Sequence, residues 1–287
     1  QEFELGQAIQ VLKRQSAQQP LLCIVHGDEW QSHDKFLERL RKVSLPRLLR
    51  LNLRQTAIKE YHLKWPASLK KLDKLPARLT KNLADEVEND SFATVQEINQ
   101  TFGKYPGPVL VHVHLMTQDW KRLGFGLLAK VLDYWQNWPA LGADQTLVIC
   151  VFIKYQQYGV IQSANKRKRW WLMNPFTWLK RFFKVRQCQK LNLEIAQQLT
   201  SLNGKQFGDF NRLTGVVLPK LDNLNRGHVE DWVRCKETTT FVGEALAGPL
   251  FSAVGKLFDQ DETMPMDRIA EHLSRLLKDM NIREKEL

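Results

Sequence analysis

The residues with the clearest chemical meaning lie in segment 26–36, where the first apolar run of the chain ends. Gly27 closes that run, Ser32 and His33 follow in the loop, and Lys35 stands just before an amphipathic segment. In nucleotide-binding α/β domains, a glycine, a lysine and a hydroxyl at this position hold phosphate groups at a helix N-terminus. These four residues are therefore the candidate nucleotide loop.

The chemistry of this loop is degenerate. The second glycine, which lets the backbone approach phosphate closely, is missing, and Phe36 follows Lys35 where magnesium needs a hydroxyl. Asp28, Glu29 and Asp34 add up to three negative charges. At ~4 Å and an effective dielectric constant of ~20, each repulsion from a phosphate costs on the order of 4 kcal/mol. We therefore expect the loop to have lost its nucleotide.

The third apolar run, 109–115, supports the same interpretation. In a nucleotide hydrolase this strand ends in a carboxylate that completes the magnesium site. Here the tip has no Asp–Glu pair, and Asp119 comes several residues late. We predict that the chain has no catalytic residue, no cofactor and no ATP hydrolysis, with an atypical nucleotide-binding NTPase as the alternative.

Two histidines in this run are candidates for metal binding. His112 and His114 alternate with valines, so they share one face of the strand. A metal site would need both rings to converge with a third ligand, for which His26 at the end of the first strand is the candidate. Because no carboxylate or cysteine stands beside them, we favour hydrogen-bond partners and predict no metal site.

Buried strands must alternate with helices to position these residues. Continuous apolar runs predict strands at 21–27, 48–53, 109–115 and 146–153, with helices between them. This order predicts an α/β fold, a P loop NTPase-like parallel sheet with flanking helices and an α-rich C-terminal part. The expected divisions are a leading helix or linker at 1–20, a degenerate P-loop α/β core at 21–160, a basic aromatic segment at 161–190 and an α-rich part at 191–287 packed on the core.

Four blocks of sequence carry a resemblance to a known family. They are 24–29 with 31–40, 127–139, 218–232 and 264–277, and together they span nearly the whole chain. In order and spacing they resemble the inactive STAND family (iSTAND), relatives of bacterial signal-transduction NTPases with degraded nucleotide sites. The resemblance implies a non-catalytic sensor, scaffold or adaptor in a bacterial signalling or defence system. Its implied partners are fused or associated effector and adaptor domains.

The excess positive charge is concentrated in one segment. Residues 145–193 hold ten of the 42 basic residues and none of the 31 acidic ones. Asn174 and Pro175 predict the start of a basic amphipathic helix there. The candidate contacts with an anionic partner are Lys166, Arg167, Lys168, Arg169, Trp170, Trp171, Trp178, Lys180, Arg181 and Lys184.

Three interpretations of this basic aromatic segment stay open. Its apolar half can join the core, as in an ordinary amphipathic helix. It can attach to an anionic membrane surface, with the rings at the headgroup boundary. It can also contact nucleic acid or an acidic protein through stacking and phosphate contacts.

The remaining composition predicts a cytoplasmic protein, with a membrane-peripheral location as the alternative. No apolar run is long enough to cross a membrane, and no secretory signal is visible. The four cysteines are widely spaced, and Cys23 and Cys150 fall in strand-like runs, which favours core positions in a reducing compartment. Because the chain begins with Gln1, we expect it to be a piece of a longer protein.

Overall fold

A computed structural model describes residues 2–14, 19–51, 57–142, 145–157, 175–204, 213–259 and 261–285. These residues form two compact units. The first consists of Gln1–Gly27 and Lys35–Lys220, and the second of Asp28–Asp34 and Leu221–Leu287. The loop that follows the first strand therefore belongs to the second unit.

A five-stranded parallel sheet organises the first unit. Its strands are β1 (Leu21–Asp28), β2 (Lys59–His62), β3 (Val109–Met116), β4 (Leu147–Tyr155) and β5 (Thr214–Val217). They lie side by side in the order β2-β3-β4-β1-β5, so β2 is an edge strand. The long central strands are buried along almost their whole length, as their continuous apolar sequences predict.

Helices cover this sheet. They are α1 (Glu2–Arg14), α2 (His33–Arg39), α3 (Leu45–Leu49), α4 (Leu75–Glu88), α5 (Val95–Lys104), α6 (Thr117–Leu123), α7 (Gly126–Gln136) and α8 (Pro175–Gly204). A π-helical turn, Leu40–Ser44, joins α2 to α3, and a 3-10 turn, Leu72–Lys74, precedes α4. The main core packs apolar residues of α4 to α8 against β1, β3 and β4, with Phe102 and Trp135 fully buried. This core confirms the α/β fold class.

The second unit is largely helical. It contains α9 (Arg226–Arg234), α10 (Lys236–Val242), α11 (Glu244–Leu257) and α12 (Met266–Lys285). The short strands β6 (Leu224–Asn225) and β7 (Thr263–Met264) pair in antiparallel fashion. Its own core is built on Val229, Val233, Leu250, Val254 and Ile269.

The predicted strand at 48–53 is wrong over residues 48–51, and residues 52 and 53 lie outside the described part of the chain. Leu48 and Leu49 belong to α3, which has Pro46 in its first turn and ends at Arg50 in the left-handed conformation, with φ 58°. Proline favours the first turn of a helix, and a short apolar run fits a buried helix as well as a strand. The second strand is instead β2, and nine residues separate it from α3.

Helix α8 is longer than the sequence predicts. It begins at Pro175, which confirms the predicted helix start, and it continues to Gly204. The predicted basic helix therefore continues into the α-rich part that was expected to begin at residue 191. Because α8 and β5 lie in the first unit, the two units divide after Lys220, whereas the sequence suggested the end of the α/β core at 160.

Candidate functional site

The glycine and lysine of the candidate loop lie on regular elements. Gly27 lies within β1, which continues to Asp28. Lys35 lies in the first turn of α2, where its side chain is 76% exposed and its Nζ donates to Oε2 of Glu38 at 3.1 Å. The lysine that would meet a phosphate in an active NTPase pairs here with a carboxylate of its own helix.

Side chains of the second unit hold the loop. Nε2 of Gln31 donates to Oδ1 of Asn223 at 2.7 Å, and the hydroxyl of Ser32 donates to the carboxylate of Asp267. The backbone N–H of Asp267 donates to the carbonyl oxygen of Trp30 at 3.0 Å. The first turn of α12 therefore bonds to the Ser32 hydroxyl and to the backbone carbonyl of Trp30.

The backbone of the loop is adapted to these contacts. Ser32 has φ 47°, in the left-handed region that residues other than glycine rarely adopt. Nε2 of His33 lies 3.0 Å from the carbonyl oxygen of Asp28, so Nε2 carries the proton. Ser32 and His33 are both buried. Because the carboxylate of Asp267 faces the loop, a phosphate there would meet a like charge.

The carboxylate after β3 has a structural role. Oδ2 of Asp119 accepts the backbone N–H of Met116 at 2.8 Å, and Oδ1 accepts from Arg122 at 2.5 Å. Asp119 is therefore a buried group at the N-terminus of α6, where the helix dipole favours negative charge. Thr117 directly follows the last residue of β3, and its hydroxyl accepts the backbone N–H of Gln156 at 3.0 Å.

His26 does not join the two histidines of β3. Its Nδ1 lies 2.8 Å from the hydroxyl of Tyr155, on the neighbouring strand β4. In the sheet, β4 separates β1 from β3, which places their side chains about two strand spacings, ~10 Å, apart. His62 of β2 is the histidine that meets His112 and His114. His62 was not among the predicted ligands, because the apolar run at 48–53 was expected to form the second strand.

The buried cysteines belong to the core. Cys23, Cys150 and Cys188 are buried and in the reduced form, and Cys235 is partly buried. A hydrogen bond with Cys23, together with burial, raises the pKa of the Cys150 thiol well above its usual range. A thiol held in the neutral form is a poor nucleophile and a poor metal ligand. The prediction of core positions is confirmed for Cys23 and Cys150.

Most of the basic aromatic segment lies outside the described residues. This applies to Lys166, Arg167, Lys168, Arg169, Trp170 and Trp171, and to the side chains of Trp178, Lys180 and Arg181. Lys184 is described, and with Thr117, Gln156 and Cys188 it lines a cavity of about 140 Å³. Beside it Phe183 is 62% exposed. Among the described helices, none combines the length and apolarity needed to cross a membrane.

Together, the five-stranded parallel sheet and its flanking helices define an α/β domain. Residues 1–153 match the family model of iSTAND, which is described as inactive STAND. This match covers more than half of the chain, and the chain belongs to the iSTAND family. The resemblance carried by blocks 24–40 and 127–139 is thereby confirmed, while blocks 218–232 and 264–277 lie beyond the matched residues.

Comparison with curated proteins and with solved structures gives one distant structural similarity. No curated protein matches the chain significantly. Among solved structures, the chain is similar to the Aeropyrum pernix ORC1 protein in complex with DNA, at 11% identity and a TM-score of 0.42. The similarity covers 100% of this chain and 60% of the ORC1 chain, so this chain spans about 60% of the length of that protein.

Proposed function

We propose that this chain is a non-catalytic sensor, scaffold or adaptor module of a bacterial signalling or defence protein. In that role it recognises a partner or relays a signal to a fused or associated effector domain. Its membership of a family described as inactive STAND supports the non-catalytic part of the proposal. The bacterial and defence setting comes from the family resemblance.

One observation carries this proposal: the first turn of α12 is hydrogen-bonded to Gln31 and Ser32, within the candidate nucleotide loop. Ser32 donates to Asp267, and the side-chain oxygen of Gln31 accepts the backbone N–H of Met266 at 3.3 Å. To seat a triphosphate, the loop would have to break these contacts and place phosphate charge beside a carboxylate. The one lysine of the loop, Lys35, already pairs with Glu38 at the surface.

Calorimetry with ATP or GTP and magnesium tests the non-catalytic role. We expect no saturable heat at millimolar nucleotide and no phosphate release, for the natural chain and for Lys35→Ala alike. Saturable, magnesium-dependent binding that Lys35→Ala abolishes would instead establish the atypical NTPase.

The exposed ring of Phe183 favours a second function, attachment to an anionic membrane surface. The ordinary core role of an amphipathic helix requires its apolar half to be covered, yet Phe183 is 62% exposed. Lys184, next to it, is exposed as well. Rings at the headgroup boundary with basic residues over acidic lipid form a membrane-surface contact, and each basic residue contributes on the order of 1 kcal/mol.

Co-sedimentation with vesicles tests this second function. We expect binding to vesicles that contain phosphatidylserine and not to neutral vesicles, with steep weakening at high salt. Glutamine at all four positions 166–169 should abolish it, while glutamine at the exposed residues Lys70, Lys71, Lys74 and Arg78 should not. Unchanged sedimentation of the 166–169 variant, or a shift of oligonucleotides without vesicle binding, would refute membrane attachment.

A further inference from the structure

Three histidines meet on one face of the sheet edge formed by β2 and β3. His62 is the register partner of His112 in these parallel strands, and His114 lies two residues further along β3. Residues two apart share a face of a strand, so the three imidazoles lie on the same side of the sheet. One ring nitrogen from each histidine lies within 4.8 Å of the others.

The two histidines of β3 have the spacing of two ligands on one ion. Nδ1 of His112 lies 3.3 Å from Nε2 of His114. Zinc holds histidine nitrogens at ~2.0–2.1 Å in tetrahedral geometry, which places two such nitrogens about 3.3–3.4 Å from each other. These two rings therefore match a shared ion as they stand.

A carboxylate orients one of the rings. Oε1 of Glu60 lies 3.2 Å from Nε2 of His112, and the guanidinium of Arg41 holds the other carboxylate oxygen of Glu60. Because the carboxylate accepts, Nε2 carries the proton and the lone pair of Nδ1 faces His114. Histidines that bind metals usually donate their second ring N–H to such a carboxylate, which fixes the tautomer and the ring orientation.

His62 supplies the open side of the cluster. Its ring is stacked on that of His112, with centroids 4.7 Å apart and planes at 4°. His62 is exposed whereas His112 is buried, so the ring of His62 can turn until one nitrogen faces the other two. The fourth position of a tetrahedral ion then lies toward solvent, where water or a ligand atom binds.

We propose that His62, His112 and His114 bind one divalent ion of the zinc class, with Glu60 as a positioning residue. Three neutral imidazoles suit zinc and its neighbours better than magnesium or calcium, which prefer oxygen ligands. The ion ties the four-residue edge strand β2 to its neighbour β3. This site is independent of the proposed signalling role.

Metal titration of the whole chain tests the site. The protein is purified without a polyhistidine tag, treated with a chelator, and titrated with Zn²⁺ by calorimetry and with Co²⁺ by visible absorbance. We expect one ion per chain and the absorption bands of tetrahedral cobalt. Glu60→Gln should weaken zinc binding about 10- to 100-fold, and His62→Gln should weaken it further.

His272→Gln is the matched control, because His272 is a partly buried histidine on α12, far along the chain from the cluster. It should leave zinc binding unchanged. The proposal would be overturned if the chain bound no stoichiometric ion, or if His62→Gln left the zinc affinity unchanged. The cluster would then be a hydrogen-bond network in which Nε2–H of His114 donates to Nδ1 of His112. Since His62 is exposed, its variant decides the matter even if His114→Gln fails to fold.

Discussion

The hydroxyl of Ser32 donates a hydrogen bond to the carboxylate of Asp267, which lies 235 residues further along the chain. The backbone N–H of Asp267 in turn donates to the carbonyl oxygen of Trp30. Asp267 lies in the first turn of α12, where the helix dipole favours a carboxylate. The conformation of the degenerate loop therefore depends on a helix near the other end of the sequence.

Two variants of Ser32 separate its hydrogen bond from its backbone conformation. Ser32→Ala loses the bond to a charged acceptor and should lower the free energy of unfolding by about 1–2 kcal/mol. Ser32→Gly also loses the bond, but glycine adopts φ 47° without the steric cost, so its loss should be smaller. Urea denaturation measures both. An equal or larger loss for glycine would show that the left-handed backbone is not a source of strain.

Phe102 is the clearest test of the main core. It is 1% exposed and stacks on Tyr61 and Trp138, with ring centroids 5.4 and 5.9 Å away. Phe102→Ala should lower the free energy of unfolding by about 3–5 kcal/mol, because it leaves a cavity in this cluster. Phe92, which is 90% exposed, is the matched control, and Phe92→Ala should change stability by less than about 0.5 kcal/mol. Thermal or urea unfolding of both variants decides whether the core lies where the structure places it.

Tyr134 should make stability depend on pH in the alkaline range. Burial raises the pKa of Tyr134 to about 12, against a smaller lowering by the hydrogen bond from Thr80. The neutral phenol is therefore favoured in the folded state, and its stabilisation is complete below pH ~10 and is lost as pH rises toward ~12.

Tyr134→Phe removes this dependence and keeps the ring. Between pH ~10 and ~12, the free energy of unfolding of the natural chain should fall about 2 kcal/mol more than that of the variant. Urea unfolding at a series of pH values measures the difference. Parallel curves for the two proteins would contradict burial of this hydroxyl.

Glu38 reports the surface pairing of the loop lysine. Hydrogen bonds from Lys42, and then from Lys35, lower the pKa of the Glu38 carboxyl to about 2. Lys42→Met should raise this pKa more than Lys35→Met, since Lys42 makes the larger contribution. An NMR titration of the Glu38 carboxyl measures both shifts. If Lys35→Met left the pKa unchanged, the pairing of Lys35 with Glu38 would be refuted.

Residue types alone predicted three of the five strands of the sheet. The runs that form β1, β3 and β4 are long, continuous and apolar, and their residues are buried in the structure. They could be predicted because hydrophobicity is a local property of the sequence. The loss of the second glycine and of the magnesium hydroxyl is likewise readable from the chain. The family match then confirmed the resemblance drawn from these blocks.

The two edge strands, β2 and β5, could not be predicted from residue types. β2 and β5 have four residues each, too few for a periodicity to stand out, and what makes them strands is pairing with β3 and β1. His62 was not predicted as a ligand for the same reason. No residue near His62 in the sequence indicates that it pairs with His112 of β3.

By itself, the sequence determined which segments are buried and which phosphate-binding groups are gone, because both follow from the kinds of side chain present at each position. Only the tertiary structure decided which distant groups come into contact. The contact of Ser32 with Asp267 and the approach of His62 to His112 depend on how separated segments pack, and local residue patterns do not encode that packing.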